Sequence, residues 1–329
     1  MKGLSTMLGS ATANQVGAAA GAHAFAAVGP AGVVAVRQLV AAAVLLPVAR
    51  PDPRRFTRAQ WWPVLLLAAV FAVMNLSVYT AIDRIGLGLT VTLEVLGPLA
   101  VALLGSRTRA DLACAVAAAT GVYVLVLPGP ASDWTGIAVA LLAAGCWAAY
   151  ILLNRVIGAR LPGVEGLAVA TSLSALGYLP LAVVLAVEGR WSAGALLWAA
   201  VAGVLSAVPY AGDLIALRHV PPRVFGMFMS VHPVLAALSG LVLLGQALRP
   251  HEWAGIVIVI TVLAAANHRR TASAKGRQGG EEIARKGRKA DEGQEVSEGQ
   301  EVGEGQEVDK ERRRESGRQR GEKQQAQAP

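Results

Sequence analysis

The run LGLTVTLEVLGPLAVALLG, residues 87–105, decides the fold. Its nineteen residues hold a single charge, Glu94, and a single proline, Pro98. A helix rises about 1.5 Å per residue, so this run nearly covers the ~30 Å of hydrocarbon in a bilayer. Lipid offers backbone groups no hydrogen-bond partners, so a segment lodged there is expected to be helical.

Working outward, the chain divides into ten such apolar runs separated by charged or Pro/Gly punctuation: about 4–27, 31–49, 62–82, 87–105, 111–128, 135–154, 165–187, 194–217, 223–245 and 252–267. The first is the least apolar, with Asn14, Gln15 and His23 inside it. Ala22-His23-Ala24 has the small-x-small form of a leader cleavage site, but a leader wants an unbroken apolar middle, so a retained span is the expectation. Hydrophobic residues make up 54% of the 329. Positions 1–267 carry only 24 charged residues, whereas a soluble domain of that length has roughly a quarter of its residues charged. The net charge of +8 does not indicate nucleic acid, because the basic residues of this region fall between apolar runs rather than on a patch. Cys114 and Cys146 both sit in apolar runs, with neither metal-ligand spacing nor a disulfide framework.

The connections alternate in charge. Lys2, Arg50, Arg54, Arg55, Arg58, Arg107, Arg109, Arg155, Arg160, Arg218 and Arg223 fall on one side; Arg84, Arg190 and Arg249 fall on the other. The positive-inside rule puts the first set, and with it both termini, in the cytoplasm. Trp61, Trp62, Trp134, Trp191 and Trp253 stand at span starts, where aromatic rings favour the interface. Residues 268–329 are different material. They hold fifteen of the thirty Lys and Arg and repeat EGQEV at 292–296, 298–302 and 304–308. Such a segment buries too little apolar area to offset its chain entropy, so a disordered cytoplasmic tail is expected, with Arg312-Arg313-Arg314 able to touch anionic lipid.

A shift of 135 lays Ala81 on Ala216, Pro98 on Pro233, Ala102 on Ala237 and Gly105 on Gly240. This pairs spans 3–4 with spans 8–9 and divides the chain into five-span halves, 1–130 and 131–267. An odd number of spans per half forces the halves into opposite orientations. Inverted repeats of this kind are found in secondary transporters, with the substrate site near the midplane between them. The fold class expected is therefore an all-α polytopic membrane protein of ten transmembrane helices in two inverted five-helix repeats.

Leu93-Glu94-Val95-Leu96-Gly97-Pro98-Leu99-Ala100-Val101-Ala102-Leu103 resembles the fourth-span signature of the EamA branch of drug/metabolite transporters. Cys146-Trp147-Ala148-Ala149-Tyr150-Ile151-Leu152 is similar to the sixth span of its threonine/homoserine exporters. Phe225-Gly226-Met227-Phe228-Met229-Ser230, with Pro233 and Leu235-Ala236-Ala237-Leu238-Ser239-Gly240, is similar to their ninth. The resemblance spans roughly residues 5–265. It implies ten helices in two inverted repeats, efflux of amino acids or related metabolites, and a bacterial inner membrane. The sequence departs from the family pattern at Asp213, where a glutamate is expected, at His232, where an acid is expected, and at Gln246, where a Glu usually follows the Gly.

Three charged residues lie clearly inside the predicted spans rather than at their ends, where each costs several kcal/mol unless it faces the bundle interior: Arg37, Glu94 and Asp213. Glu94, near the midplane, reads as a proton-coupling carboxylate or as a structural acid. Arg37 reads as a two-point grip on a substrate carboxylate or as a salt-bridge partner of Glu94. Asp213 reads as a substrate-path or coupling acid, or as a helix-end partner of Arg218. Gln15, Asn75, Tyr79, Tyr210 and His232 are the neutral candidates for a substrate path. Asn75 and Tyr79 share a helix face at i, i+4, a spacing that suits either a ligand or contact between helices. His232, read as mid-span, suits a proton relay or neutral packing. Pro98 and Pro233, at matched positions in the halves, are expected to kink helices beside the site.

The sequence has no HExxH pair, no Gly-x-Ser-x-Gly elbow and no phosphate-binding Walker loop. Catalysis, ATP as energy source, a cofactor and a metal are therefore not expected. The expectation is alternating access about a cavity lined by spans 1–4 and 6–9, driven by protons or by the substrate's own gradient. A non-transporting receptor or an intramembrane enzyme would be the alternatives, and drugs or other metabolites the alternative cargo. The partners expected are a small-molecule substrate, lipid and a second copy of the chain as homodimer, with no nucleic acid.

Overall fold

The computed structural model describes residues 2–104, 109–127, 132–161, 165–219, 231–265 and 268. Side chains are placed for 8–101, 109, 112–127, 132–161, 165–206, 231–265 and 268. Residues 1–269 form one compact unit. The charged tail lies outside the described residues.

The helices are α1 (Lys2–Ala22), α2 (Phe25–Ala49), α3 (Arg58–Ile85), α4 (Leu87–Glu94), α5 (Leu96–Leu104), α6 (Arg109–Val126), α7 (Trp134–Gly158), α8 (Glu165–Val187), α9 (Ala193–His219) and α10 (His232–Leu244), followed by α11 (Pro250–Ala265). A single 3-10 turn, Pro53–Arg55, follows α2, and no strand occurs among the described residues. Because α4 and α5 are two pieces of one span, the eleven helices of the described residues make ten crossings. Four of them, α2, α3, α7 and α8, are each long and apolar enough to cross a bilayer; the other apolar stretches run 10–17 residues.

Local chemistry sets the boundaries. The Thr57 N–H donates to Gln60 Oε1 (2.8 Å) at the start of α3, and the Gly136 N–H donates to Asp133 Oδ1 (2.8 Å) at the start of α7. The expected gap between the first two spans shrinks to the bend at His23-Ala24. In return the second helix breaks internally at Gly29, just before Pro30. The fourth span is kinked at Val95, which keeps helical dihedrals (φ −66, ψ −8) and the bond from its N–H to the Val91 carbonyl. Helix α4 stops at Glu94 and α5 resumes at Leu96. The cause is Pro98, which lacks the N–H that would bond the Glu94 carbonyl four residues earlier. At the other end of α4, the tight turn from α3 passes through Gly86 at φ +83, a conformation that a side chain would strain.

The two halves interleave. Helix α1 packs along α9, and its counterpart in the repeat, α7, packs along α3. Helix α2 crosses α8, its own counterpart, as α4 crosses α10. Helix α2 lies on α9, and α3 on α8. This is the pattern an inverted two-fold relation requires, and it makes one body of the halves rather than two modules. Large apolar side chains remain on the outside, among them Val187 (85% exposed), Val242 (75%) and Leu112 (66%). An outer surface of this kind suits lipid rather than water.

The ends of the helices sort as the alternating connections predict. Arg160 donates to the Ala59 carbonyl (2.6 Å), and Gln60 donates to the Arg160 carbonyl (2.9 Å), so the α2–α3 connection and the end of α7 share one end of the bundle. At the opposite end Arg84 pairs with Asp133 (3.0 Å), and Arg190 donates to the Ala27 carbonyl (2.9 Å). There too, the Leu87 N–H donates to Gln246 Oε1 (2.9 Å), tying the start of α4 to the α10–α11 connection.

Candidate substrate site

Seven residues beyond the Gly29-Pro30 break, α2 carries Arg37 into the bundle, where it is 9% exposed. Its Nε–H donates to Ser206 Oγ on α9 (2.9 Å), and its Nη1 donates to Asn75 Oδ1 on α3. The guanidinium carbon sits over the Tyr79 ring, 5.4 Å from the centroid, a cation–π contact. The α2–α9 approach is tight beside this contact, because a Cβ on Gly203 would stand 2.7 Å from the Cβ of Val40.

Both neutral partners are held in one polarity. The Ser206 hydroxyl donates to the Ala202 carbonyl (2.7 Å), and Asn75 Nδ2 donates to the Phe71 carbonyl (2.8 Å). Each thus spends a donor on its own helix one turn back, and what faces Arg37 is an acceptor.

Glu94, at the end of α4, lies within electrostatic reach of Arg37. The salt bridge offered as the structural reading of this pair does not form: the ion pairs among the described residues are Arg55–Asp52 and Arg84–Asp133. The bonds described for Arg37 go to the acceptors of α3 and α9. Of the eight sequence-selected residues, the structure brings together Arg37, Asn75 and Tyr79, with Glu94 nearby. Gln15 is buried on α1 (2% exposed), and no hydrogen bond among the described residues joins it to this group. His232 opens α10 one residue before Pro233, and the part of its expected span before Val231 lies outside the described residues. Tyr210 and Asp213 fall on the backbone of α9, and their side chains, like the Phe225–Ser230 motif, lie outside the described residues.

Ser206 is the member that sequence reading missed. The available signal was weak: a hydroxyl four residues before Tyr210 in an apolar run. Gln38 and Ser174 were missed as well; the Gln38 amide donates to Ser174 Oγ (2.9 Å), joining α2 to α8 where the halves cross.

Comparison with known proteins fits this architecture. The chain is 36% identical over 250 residues to the threonine/homoserine exporter RhtA of Escherichia coli (strain K12), covering 75% of this chain and 84% of that protein. It is 38% identical over 238 residues to the threonine/homoserine exporter RhtA of Salmonella typhimurium (strain SL1344), covering 71% and 80%. The model of the EamA-like transporter family matches residues 134–267. The chain belongs to the EamA-like transporter family. As an EamA-like transporter it is a multi-pass membrane protein with a small-molecule substrate and lipid around it. A crystal structure of a protein 20% identical to this one superposes with a TM-score of 0.51 over 80% of this chain and 96% of that one. At that identity the likeness concerns the fold alone.

Proposed function

We propose that this EamA-like transporter exports small amino acids, threonine and homoserine foremost, across a bacterial inner membrane. Both termini are cytoplasmic in this reading, and the halves 1–130 and 131–267 rock about the Arg37 site in alternating access. The observation that carries the proposal is the buried guanidinium, oriented by neutral acceptors from two other helices. A planar fork held in one orientation can take an α-carboxylate through two parallel N–H bonds. Glu94, beside the Pro98 kink, adds the second element. Ionisable groups inside a transporter's bundle mark proton relays, and Glu94 is the proton-coupling carboxylate of this scheme. The relatives named as threonine/homoserine exporters support the cargo class.

The test is flux and binding in proteoliposomes carrying an imposed pH gradient. Arg37→Lys keeps the charge but loses the fork, so threonine should bind roughly tenfold more weakly while its decarboxylated amine is little changed. Equal losses for both ligands would make Arg37 a structural cation. Glu94→Gln should retain binding yet lose the response of flux to the gradient; an unaltered response would remove Glu94 from coupling.

A further inference from the structure

We propose that Ser206 and Asn75 are positioning residues that set substrate specificity by aiming Arg37, and that Ser206 makes this aim depend on contact between the two halves. The inference rests on the reading of Arg37 as the carboxylate holder.

A guanidinium has five N–H donors in a rigid plane, and Ser206 and Asn75 take one at Nε and one at Nη1. Two fixed points on a planar group, with the Tyr79 ring beneath it, define its orientation. The fixed points are themselves fixed. The Ser206 hydroxyl is turned by its bond to the Ala202 carbonyl, and the Asn75 amide by its bond to the Phe71 carbonyl. A serine with its proton free, or an amide able to flip, would be as ready to meet another donor as an acceptor. Here each presents an acceptor toward Arg37, the polarity a cation requires.

The partners also differ in where they come from. Asn75 stands on α3 and Arg37 on α2, within the first half; Ser206 stands on α9 in the second, 169 residues from Arg37. Its short side chain reaches Nε because α9 presses on α2 where Gly203 meets Val40. Moving α9 off α2 by even a couple of ångströms takes Oγ out of hydrogen-bond range and removes one of the two contacts that aim the guanidinium. Selective grip on a carboxylate then belongs to the arrangement in which the halves touch here.

The test uses the full chain in detergent or liposomes, with L-threonine and its decarboxylated amine as probes. Ser206→Ala should weaken threonine binding about tenfold, the scale of one hydrogen bond to a charged group, and change amine binding less than about twofold. Ser206→Thr keeps the hydroxyl and should restore threonine binding. Asn75→Ala, on another helix, should behave as Ser206→Ala does, and it serves as the measurement if Ser206→Ala lowers membrane abundance. Because both act through Arg37, neither should weaken threonine binding further in an Arg37→Lys background. Equal losses for acid and amine, or losses that add to that of Arg37→Lys, overturn the positioning role. If Arg37→Lys loses the preference for the acid while Ser206→Ala and Asn75→Ala keep it, the substrate reading stands and this inference fails. If Arg37→Lys itself keeps the preference, both fail.

Discussion

The α3–α7 and α1–α9 pairs are counterparts in the inverted repeat, each joining a helix of one half to a helix of the other, yet they are built from opposite materials. Between α3 and α7 the contact is bulky: Phe71, Met74, Leu153 and Ile157 are buried, with Trp147 and Tyr150 packed against them. The Phe71 and Tyr150 rings lie 5.3 Å apart. Polar contacts tie this pair at both ends, Arg84 to Asp133 at one and Arg160 to Ala59 at the other. Between α1 and α9 the contact is small. Ala202 is fully buried, a Cβ on Gly17 would come 2.9 Å from the Cβ of Leu205, and one on Gly21 would come 3.2 Å from that of Ala202. Small residues let membrane helices approach closely, so dispersion and short polar side chains can act across the interface. The same inter-half contact thus serves as scaffold in one copy, and in the other as the close-packed wall that carries Ser206 to Arg37.

Three substitutions break or sharpen this contrast. Phe71→Ala should have the largest effect. It opens a cavity in the aromatic pair and should lower stability by about 3–5 kcal/mol in thermal unfolding of the solubilised chain. It leaves the Phe71 carbonyl, and with it the orientation of Asn75, in place. The ratio of acid to amine binding should therefore survive in whatever fraction stays folded, and a collapsed ratio would show that α3–α7 is more than scaffold. Next comes Gly17→Val, which overpacks the small pair. About 1–3 kcal/mol is the expected cost, and here the acid-to-amine ratio should fall too, since α9 must shift. A stable variant with unchanged selectivity would mean that α1 does not set the position of α9.

The smallest effect belongs to the polar tie at the end of α3–α7. The Gly136 N–H and then Arg84 hold the Asp133 carboxyl below its ordinary value of 3.8. A group whose folded-state value is depressed stabilises the fold above its unfolded value, and that contribution is lost as pH falls through the folded one. The tie should therefore be intact near neutrality and fade below about pH 4. Asp133→Asn should flatten the acid limb of a stability–pH curve slightly without altering transport at pH 7; an unchanged limb would show that the exposed tie contributes nothing.

Much of this was legible along the chain. Apolar runs and their punctuation give the ten crossings, because lipid leaves backbone groups no partner outside a helix and charge no cheap place to sit. Asn75 and Tyr79 were legible as one face, because helical periodicity fixes relative direction within an element. The kink beside Glu94 was legible from Pro98, whose missing N–H leaves the Glu94 carbonyl without its helical partner. What a sequence cannot supply is rotation between elements. Whether Arg37 meets Glu94 or Ser206 depends on how α2, α4 and α9 turn about their axes, and packing decides that across 169 residues of chain. The covalent order determined which residues are buried in lipid and which helix faces are polar. Only the tertiary structure, by pressing Gly203 onto Val40, decided that a serine from the second half would hold the arginine of the first.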